Sequence, residues 1–365
     1  MANKTNIEWT DYNWNFLRGC CRVSEGCRNC YAEGIAARFS GPGQPYEGLA
    51  VFKDHKARWT GEIGFFEDVL SQPLRWTKPR KVFVNSMSDL FHEKVTDDIL
   101  DKAFAVMALT PQHTYQILTK RPERMREWFY EKWQPGLEQQ IGRFHIPAET
   151  VGEDRRCQVS RAVDDLVTEQ KLIDFESDDV WTPEGSLKVL NFPWPLPNVH
   201  LGVSVEDQKT ADERIPILLQ TPAALRWLSM EPLLGHVDIH EWLPDEWSGV
   251  ARLESPYGDP PPINWVVVGG ESGPNARPMH PEWVRSIRDQ CVAVGVPFFF
   301  KQWGEWGDAV KNKVRATIVI EPNGATRPTH NALPSPGSVW MCKVGKHNAG
   351  RILDGREWNE MPEGK

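Results

Sequence analysis

Lys81-Val82-Phe83-Val84-Asn85-Ser86-Met87-Ser88-Asp89 passes from four residues of β character into a run of short polar side chains. A helical pattern follows from Thr96 to Leu109, opened by Thr96-Asp97-Asp98 as a plausible N-cap. The same order then recurs down the chain. Thr114-Tyr115-Gln116-Ile117-Leu118 leads to Thr119-Lys120-Arg121 and a helix beginning at Pro122 and running to about Lys132. Val199-His200-Leu201-Gly202-Val203 leads to Ser204-Val205-Glu206-Asp207 and a helix over roughly 208–219. Leu225-Arg226-Trp227-Leu228 ends in Ser229-Met230-Glu231, and Asn264 to Val268 ends in Gly269-Gly270-Glu271 before a helix from Pro281 to about Val294. Val296 to Phe300 ends in Lys301-Gln302.

Strands alternating with helices argue for a mainly parallel sheet. In a closed α/β barrel the active site lies at the carboxyl ends of the strands. The series therefore gathers Asn85, Ser86, Asp89, Lys120, Arg121, Ser204, Glu206, Glu231, Glu271 and Lys301 on one rim. A length of 365 residues suits one such barrel with additions. The fold expected is an α/β, TIM-like barrel, complete or partial, over residues 1–303. It carries insertions at about 131–198 and 236–262 and a C-terminal extension at 304–365. The first insertion is long, charged and placed to serve as a lid. Residues 44–80 carry no confident element.

Upstream, Trp14-Asn15-Phe16-Leu17 reads as a short first strand, and Tyr31 to Phe39 has helical spacing stopped by Gly41-Pro42-Gly43. Between them lies Gly19-Cys20-Cys21-Arg22-Val23-Ser24-Glu25-Gly26-Cys27-Arg28-Asn29-Cys30, which holds four of the seven cysteines. Thiolates prefer zinc, copper(I) or iron–sulfur clusters. A structural zinc site commonly uses two close pairs of ligands, whereas Cys27 and Cys30 form one C-x-x-C pair and Cys20 and Cys21 are adjacent. Three useful thiolates suit a four-iron cluster, leaving one iron open to a ligand.

The remaining composition narrows the class. The longest apolar runs, Val266 to Val268 and Val296 to Phe300, are too short to span a bilayer, so no membrane partner is expected. The start, Met1 to Asn6, lacks the apolar core of a signal peptide, which points to the cytoplasm and to ligating rather than disulfide-bonded cysteines. A net charge of −8 disfavours a globally attracted polyanion, leaving local patches at Lys78-Pro79-Arg80-Lys81 and at Lys120, Arg121, Arg124 and Arg126. Seventeen tryptophans supply flat faces that stack on bases or fill a core.

The chain resembles the radical S-adenosylmethionine-like proteins, and within them a phage and bacterial three-Cys-motif family of unassigned function. The resemblance rests on Ile7-Glu8-Trp9-Thr10, on Gly19-Cys20 with Val23-Ser24 and Gly26-Cys27, and on Asn29-Cys30-Tyr31-Ala32-Glu33. It continues through Phe83 to Phe91, Leu118 to Pro122, Leu201 to Glu206, Glu231 to Leu234, Val268 to Gly273 and Pro297 to Gly304. It implies Cys20, Cys27 and Cys30 as ligands of a [4Fe-4S] cluster, with Cys21 a bystander. It also implies Ser86, Lys120, Ser204 and Glu206 as contacts to S-adenosylmethionine. Asn85, Asp89, Arg121, Glu231, Glu271 and Lys301 are then left as substrate-binding candidates. The spacing C-x6-C-x2-C has a longer first gap than the commonest radical S-adenosylmethionine motif, and Asn29 stands where an aromatic residue is usual. The implied activity is cleavage of S-adenosylmethionine and hydrogen abstraction from a nucleotide or nucleic-acid substrate, with an external electron donor. Two further readings stand beside it: a non-catalytic zinc or iron–sulfur protein, and a cluster-containing nucleic-acid repair protein that does not use S-adenosylmethionine.

Overall fold

Seven short runs rich in β-branched and aromatic residues pair side by side in the order in which they occur in the chain. They are β1 (Tyr12–Trp14), β2 (Lys81–Val84), β3 (Thr114–Thr119), β4 (Val199–Ser204), β5 (Leu225–Met230), β6 (Trp265–Gly269) and β7 (Phe298–Gln302). Every neighbouring pair among them is parallel, and the two-residue strand Asn3–Lys4 adds an antiparallel edge beside β1. The computed structural model describes residues 3–130, 139–141, 144–146, 155–172, 192–244, 262–331 and 335–362. Crossovers are made by α1 (Tyr31–Arg38), α2 (Asp97–Leu109), α3 (Pro122–Tyr130), α5 (Gln208–Gln220) and α6 (Pro281–Ala293), with α4 (Arg156–Glu169) lying between α3 and β4.

Side chains alternate between two cores with the period of two that a pleated strand imposes. Val82, Val84, Leu228, Met230, Val266, Val268, Phe298 and Phe300 join the main core with the helices. Phe83, Trp227, Trp265, Val267 and Phe299 point the other way and form a second cluster with Trp9. The Trp9 ring lies 4.9 Å from Phe83, 5.3 Å from Trp227 and 6.0 Å from Trp265. In a flat sheet β2 and β5, three positions apart, would be separated by about 14 Å. One indole touches both, so the sheet is curled into a half-barrel whose floor is closed by aromatic rings. Gly202 on β4 makes room there, since a Cβ at that position would lie 2.5 Å from the Trp227 ring.

The half-barrel is open, because β7 does not pair with β1. The C-terminal residues cover that exposed edge. After an antiparallel sheet of β8 (Trp306–Asp308), β9 (Ile318–Ile320), β10 (Thr326–Pro328) and β11 (Val339–Lys343), the chain returns along β7. The Phe300 amide donates to Trp358 O at 2.9 Å and Trp265 Nε1 donates to Glu360 O at 3.0 Å. Met361 packs on the aromatic floor, and Asp354 pairs with Arg285 at 3.0 Å and Arg288 at 2.6 Å.

Several local readings shift. The first strand lies at Tyr12–Trp14, and Leu17–Arg18 pairs instead with Gly64–Phe65. The last strand begins after Pro297, which has no amide to donate to the ladder, and it includes Lys301 and Gln302. Residues 44–80 contain a hairpin of strands Ala50–Lys53 and Lys56–Trp59. Its turn residues Asp54 and His55 have φ of 51° and 58° without any glycine, so the usual hairpin signature is missing. Within the first insertion, α4 packs on α2 and contributes Val159, Val163 and Val167 to the main core, while Gln139–Ile141 pairs with Phe144–Ile146. Within the second, Val237, Ile239, Trp242 and Leu243 join the same core. Phe192 and Leu196 at the end of the first insertion also join the core, and residues 131–138, 142–143, 147–154, 173–191 and 245–261 lie outside the described residues.

Candidate metal centre

The cysteine loop connects the strand Leu17–Arg18 to α1, at the carboxyl end of the parallel sheet. Gly19 opens it at a φ of 96°, with Glu62 O only 2.1 Å from where a Cβ would stand. A single 3₁₀ turn, Glu25–Cys27, carries the next thiol, and Cys30 immediately precedes α1. Burial raises the Cys20 thiol above its ordinary range, reinforced by the Asp89 carboxylate and, to a smaller degree, by Cys30 and Cys27. Burial likewise raises Cys30, offset in part by the Glu33 and Ala32 amides and reinforced by the Cys27 charge. All three thiols are half-buried on the one loop, and thiolates are the donor type that zinc, copper(I) and iron–sulfur clusters take.

Cys21 belongs to a different set of contacts. Its sulfur lies 3.2 Å from His92 Nε2 and accepts from Arg121 Nη2 at 3.0 Å. Cys21, His92 and Glu93 bring their donor atoms within 4.8 Å of one another. Arg121 also donates to Glu93 at 2.8 Å, so a guanidinium already serves that group. Burial, followed by the Arg121 charge, lowers the His92 pKa. None of the seven cysteines forms a disulfide.

Two carboxylates from strand ends clamp the loop. Glu206, fully buried after β4, accepts from Ser24 Oγ at 2.9 Å, from Arg214 Nη1 at 3.1 Å and from Lys120 Nζ. Burial pushes its pKa up, but Lys120 and Arg214 outweigh it and hold the group below the usual carboxylate range. Gly26 is required beside it, because a Cβ there would lie 2.4 Å from Glu206 Oε1. Glu271, after β6, accepts from Asn29 Nδ2 at 3.0 Å and from Arg277 through N, Nε and Nη2 at 2.7, 2.9 and 2.7 Å. Arg277 reaches on to Glu25 O at 2.9 Å. Glu33 pairs with Arg22 of the loop and accepts from the Trp59 amide at 2.8 Å, tying loop, α1 and hairpin together.

The other rim residues also have partners. Asp89 accepts from Thr119 Oγ1 at 2.7 Å, the Lys120 amide at 3.1 Å and Arg121 Nη1 at 2.9 Å, locking the end of β2 to the end of β3. Asn85 adopts a φ of 58° and accepts from the Leu17 amide at 3.1 Å, while its buried Nδ2 has no partner among the described residues. Ser86 Oγ donates to Asn15 Oδ1 at 3.1 Å, and its carbonyl accepts from Tyr31 Oη at 2.9 Å. Ser204 lies in register beside Ser229, both buried, and its carbonyl accepts from Arg214 Nη1 at 2.7 Å. Lys301 Nζ donates to both Glu231 oxygens at 3.0 and 2.7 Å, and Gln302 Nε2 donates to one of them at 3.2 Å.

The thirteen sequence candidates thus fall into the thiol trio, two loop clamps, and a paired polar rim. Arg214, Arg277, Ser24, Asn29 and His92 were not singled out as loop or cysteine partners. Ser24 and Glu206 are 182 residues apart, Asn29 and Glu271 242, and Arg277 and Glu25 252, and local spacing carries no signal of partners at such separations.

Fold and site together define an open α/β half-barrel protein with a thiol-rich loop clamped on the carboxyl edge of its parallel sheet. The chain belongs to the DUF5131 family, described as a protein of unknown function, whose model matches residues 4–362. No curated protein matches it. Among solved structures it is similar to a tyrosine-to-phenylalanine variant of spore photoproduct lyase, at 9% identity and a TM-score of 0.38, over 83% of this chain and 79% of that one. Among the described residues no helix is long and apolar enough to cross a membrane.

Proposed function

We propose that this protein is a radical S-adenosylmethionine-type enzyme in which Cys20, Cys27 and Cys30 hold a [4Fe-4S] cluster. The observation that carries the reading is the sorting of four neighbouring cysteines: Cys20, Cys27 and Cys30 stand half-buried on one loop, and the sulfur of the fourth, Cys21, is engaged by His92 and Arg121. Three thiolates and one open iron match what this donor set can supply. When bound, the reduced cluster and S-adenosylmethionine together supply a 5′-deoxyadenosyl radical that takes hydrogen from substrate.

The chain's own residues bind, orient and exclude water. Glu206 and Glu271 fix the loop from two strand ends and hold the three sulfurs in place. The hydroxyls of Ser86 and Ser204 suit the ribose and amino groups of S-adenosylmethionine, and the Lys120–Glu206 pair offers a cation to its carboxylate. Asn85, Asp89 and Arg121 shape the substrate side of the rim, and Glu231 with Lys301 can hold or release a proton there. A nucleotide or nucleic acid is the substrate class and an external donor provides the electron.

Anaerobic reconstitution tests the reading. About four irons and four sulfides per chain are expected, with 5′-deoxyadenosine formed on reduction in the presence of S-adenosylmethionine and lost in Cys27→Ala. Uptake of zinc without iron would favour a structural metal site, for which the Cys21, His92 and Glu93 donors provide the specific observation. Iron uptake without cofactor cleavage would leave a cluster protein that does not use S-adenosylmethionine.

A further inference from the structure

Position in the chain gives Cys21 no role, yet this residue joins the thiol loop to the sheet. Arg121, just after β3, is 5% exposed and turns its guanidinium onto the loop. Nη2 donates to Cys21 Sγ at 3.0 Å and to Cys21 O at 3.4 Å, Nη1 donates to Asp89 at 2.9 Å, and Nε donates to Glu93 at 2.8 Å. Four of its five N–H groups thus have protein acceptors, which leaves little to offer a substrate. His92 acts from the other side. Its Nδ1 accepts from the Lys94 amide at 3.2 Å, which puts the ring proton on Nε2 and makes the 3.2 Å contact with Cys21 Sγ a second N–H donated to that sulfur. The Cys21 carbonyl also accepts from Cys20 Sγ at 3.4 Å, so one peptide carries both the grip of Arg121 and the neighbouring thiol.

Cys21, His92 and Glu93 have donor atoms near enough for a metal of their own, but Arg121 already bonds to two of the three. A metal there would displace a buried cation. Groups that bond to a ligand's own segment hold it in orientation, and their loss commonly costs 10–100-fold in metal affinity. The charge matters as well as the grip. After burial, the strongest influence on Cys20 is the Asp89 carboxylate, and Arg121, which pairs with Asp89, acts in the opposite sense.

We propose that Cys21 and Arg121 are positioning residues for the metal: Cys21 anchors the loop so that Cys20 meets Cys27 and Cys30 as a ligand, and the Arg121 charge offsets Asp89 beside the bound centre. The inference deepens the radical-enzyme reading and rests on it for the identity of that centre, whereas the anchoring holds for any metal the three thiols take.

The test is cobalt(II) titration of the anaerobic, metal-free, full-length protein, because thiolate-to-cobalt charge transfer reports thiol ligation whichever metal the chain holds. Cys21→Ala should weaken cobalt binding roughly tenfold. Cys21→Ser, whose hydroxyl accepts the same two N–H groups, should recover most of that loss with the charge-transfer band at full intensity. Arg121→Lys keeps the charge but not the fork, so it too should weaken cobalt binding roughly tenfold. On iron-reconstituted protein Arg121→Lys should leave the midpoint potential in place. Arg121→Gln, which leaves Asp89 unopposed, should make reduction about tenfold less favourable, a shift of about 59 mV to the negative. Cobalt affinity unchanged in Cys21→Ala, with only the unfolding midpoint lowered, overturns the anchor. A weakened band in Cys21→Ser makes Cys21 a ligand and overturns it too, and equal potentials in the two Arg121 variants overturn the electrostatic half. Protein that forms 5′-deoxyadenosine while its Cys21 and Arg121 variants bind cobalt as the parent does refutes this inference alone. Protein whose variants respond as expected but which takes up no iron refutes the enzyme reading alone.

Discussion

The two ends of the half-barrel are built on opposite principles. The floor is aromatic: Trp9, Phe83, Trp227, Trp265 and Phe299 meet there, with a single guanidinium, Arg351, 5.2 Å from the Phe299 ring at its edge. The rim is ionic, yet its carboxylates are matched: Asp89 by Arg121, Glu206 by Lys120 and Arg214, Glu231 by Lys301, and Glu271 by Arg277. The floor gains by removing area from water, and its loss is a cavity. The rim gains little net from each pair because burying charge is costly, but removing one partner strands the other. The floor therefore sets global stability, whereas the rim sets the position of the loop.

The largest effect should break the floor. Trp227→Ala removes a fully buried indole that no neighbour can replace, and is expected to cost about 3–5 kcal/mol in chemical denaturation. Next is the rim's most buried group: Glu206→Gln leaves Lys120 and Arg214 facing a neutral amide at a cost of about 3 kcal/mol. Iron retained after reconstitution should fall with it, whereas Trp227→Ala protein that remains folded should load normally. A third test uses pH. On the inward side of β4, burial and then the Lys81 charge push the His200 imidazole from 6.5 down to about 4. The unfolded chain takes up this proton first, so stability is full above 6.5 and declines as pH falls toward 4. Cluster-free protein should lose about 2 kcal/mol by pH 5 from this group, and His200→Gln should lack that part of the slope. The smallest global effect is expected from Arg277→Ala, about 1–2 kcal/mol, since Arg277 is partly exposed. Its signature is local: faster cluster loss to a chelator with an unfolding midpoint lowered far less than in Trp227→Ala. Equal chelator rates in Arg277→Ala and the parent chain would dissolve the distinction between floor and rim.

Some of this was legible from residues alone. Lys81–Val84 is a strand over the span its composition marks, and α2 begins one residue after the Thr96 marked as its cap. The helix expected over roughly 208–219 is found at Gln208–Gln220. These elements announce themselves because β-branched runs, caps and helical spacing are local signals. The hairpin at Ala50–Trp59 and helix Arg156–Glu169 did not, the first because its turn lacks glycine and the second because it lies in a charged stretch whose apolar positions acquire meaning only against α2. The cysteine spacing suggested three useful thiolates and the family resemblance implied Cys20, Cys27 and Cys30, but neither could say where Cys21 would turn.

Sequence by itself determined the order of strands and helices, the polar character of each strand end and the clustering of thiols, since all three are written in neighbouring residues. Tertiary structure decided the rest. It curled the sheet so that Trp9 touches strands three positions apart, turned Glu206 and Glu271 from open rim groups into clamps, and gave Cys21 to His92 and Arg121. The physical reason is that a buried charge or sulfur takes its state from its nearest partner, and here those partners are brought together by packing rather than by proximity in the chain.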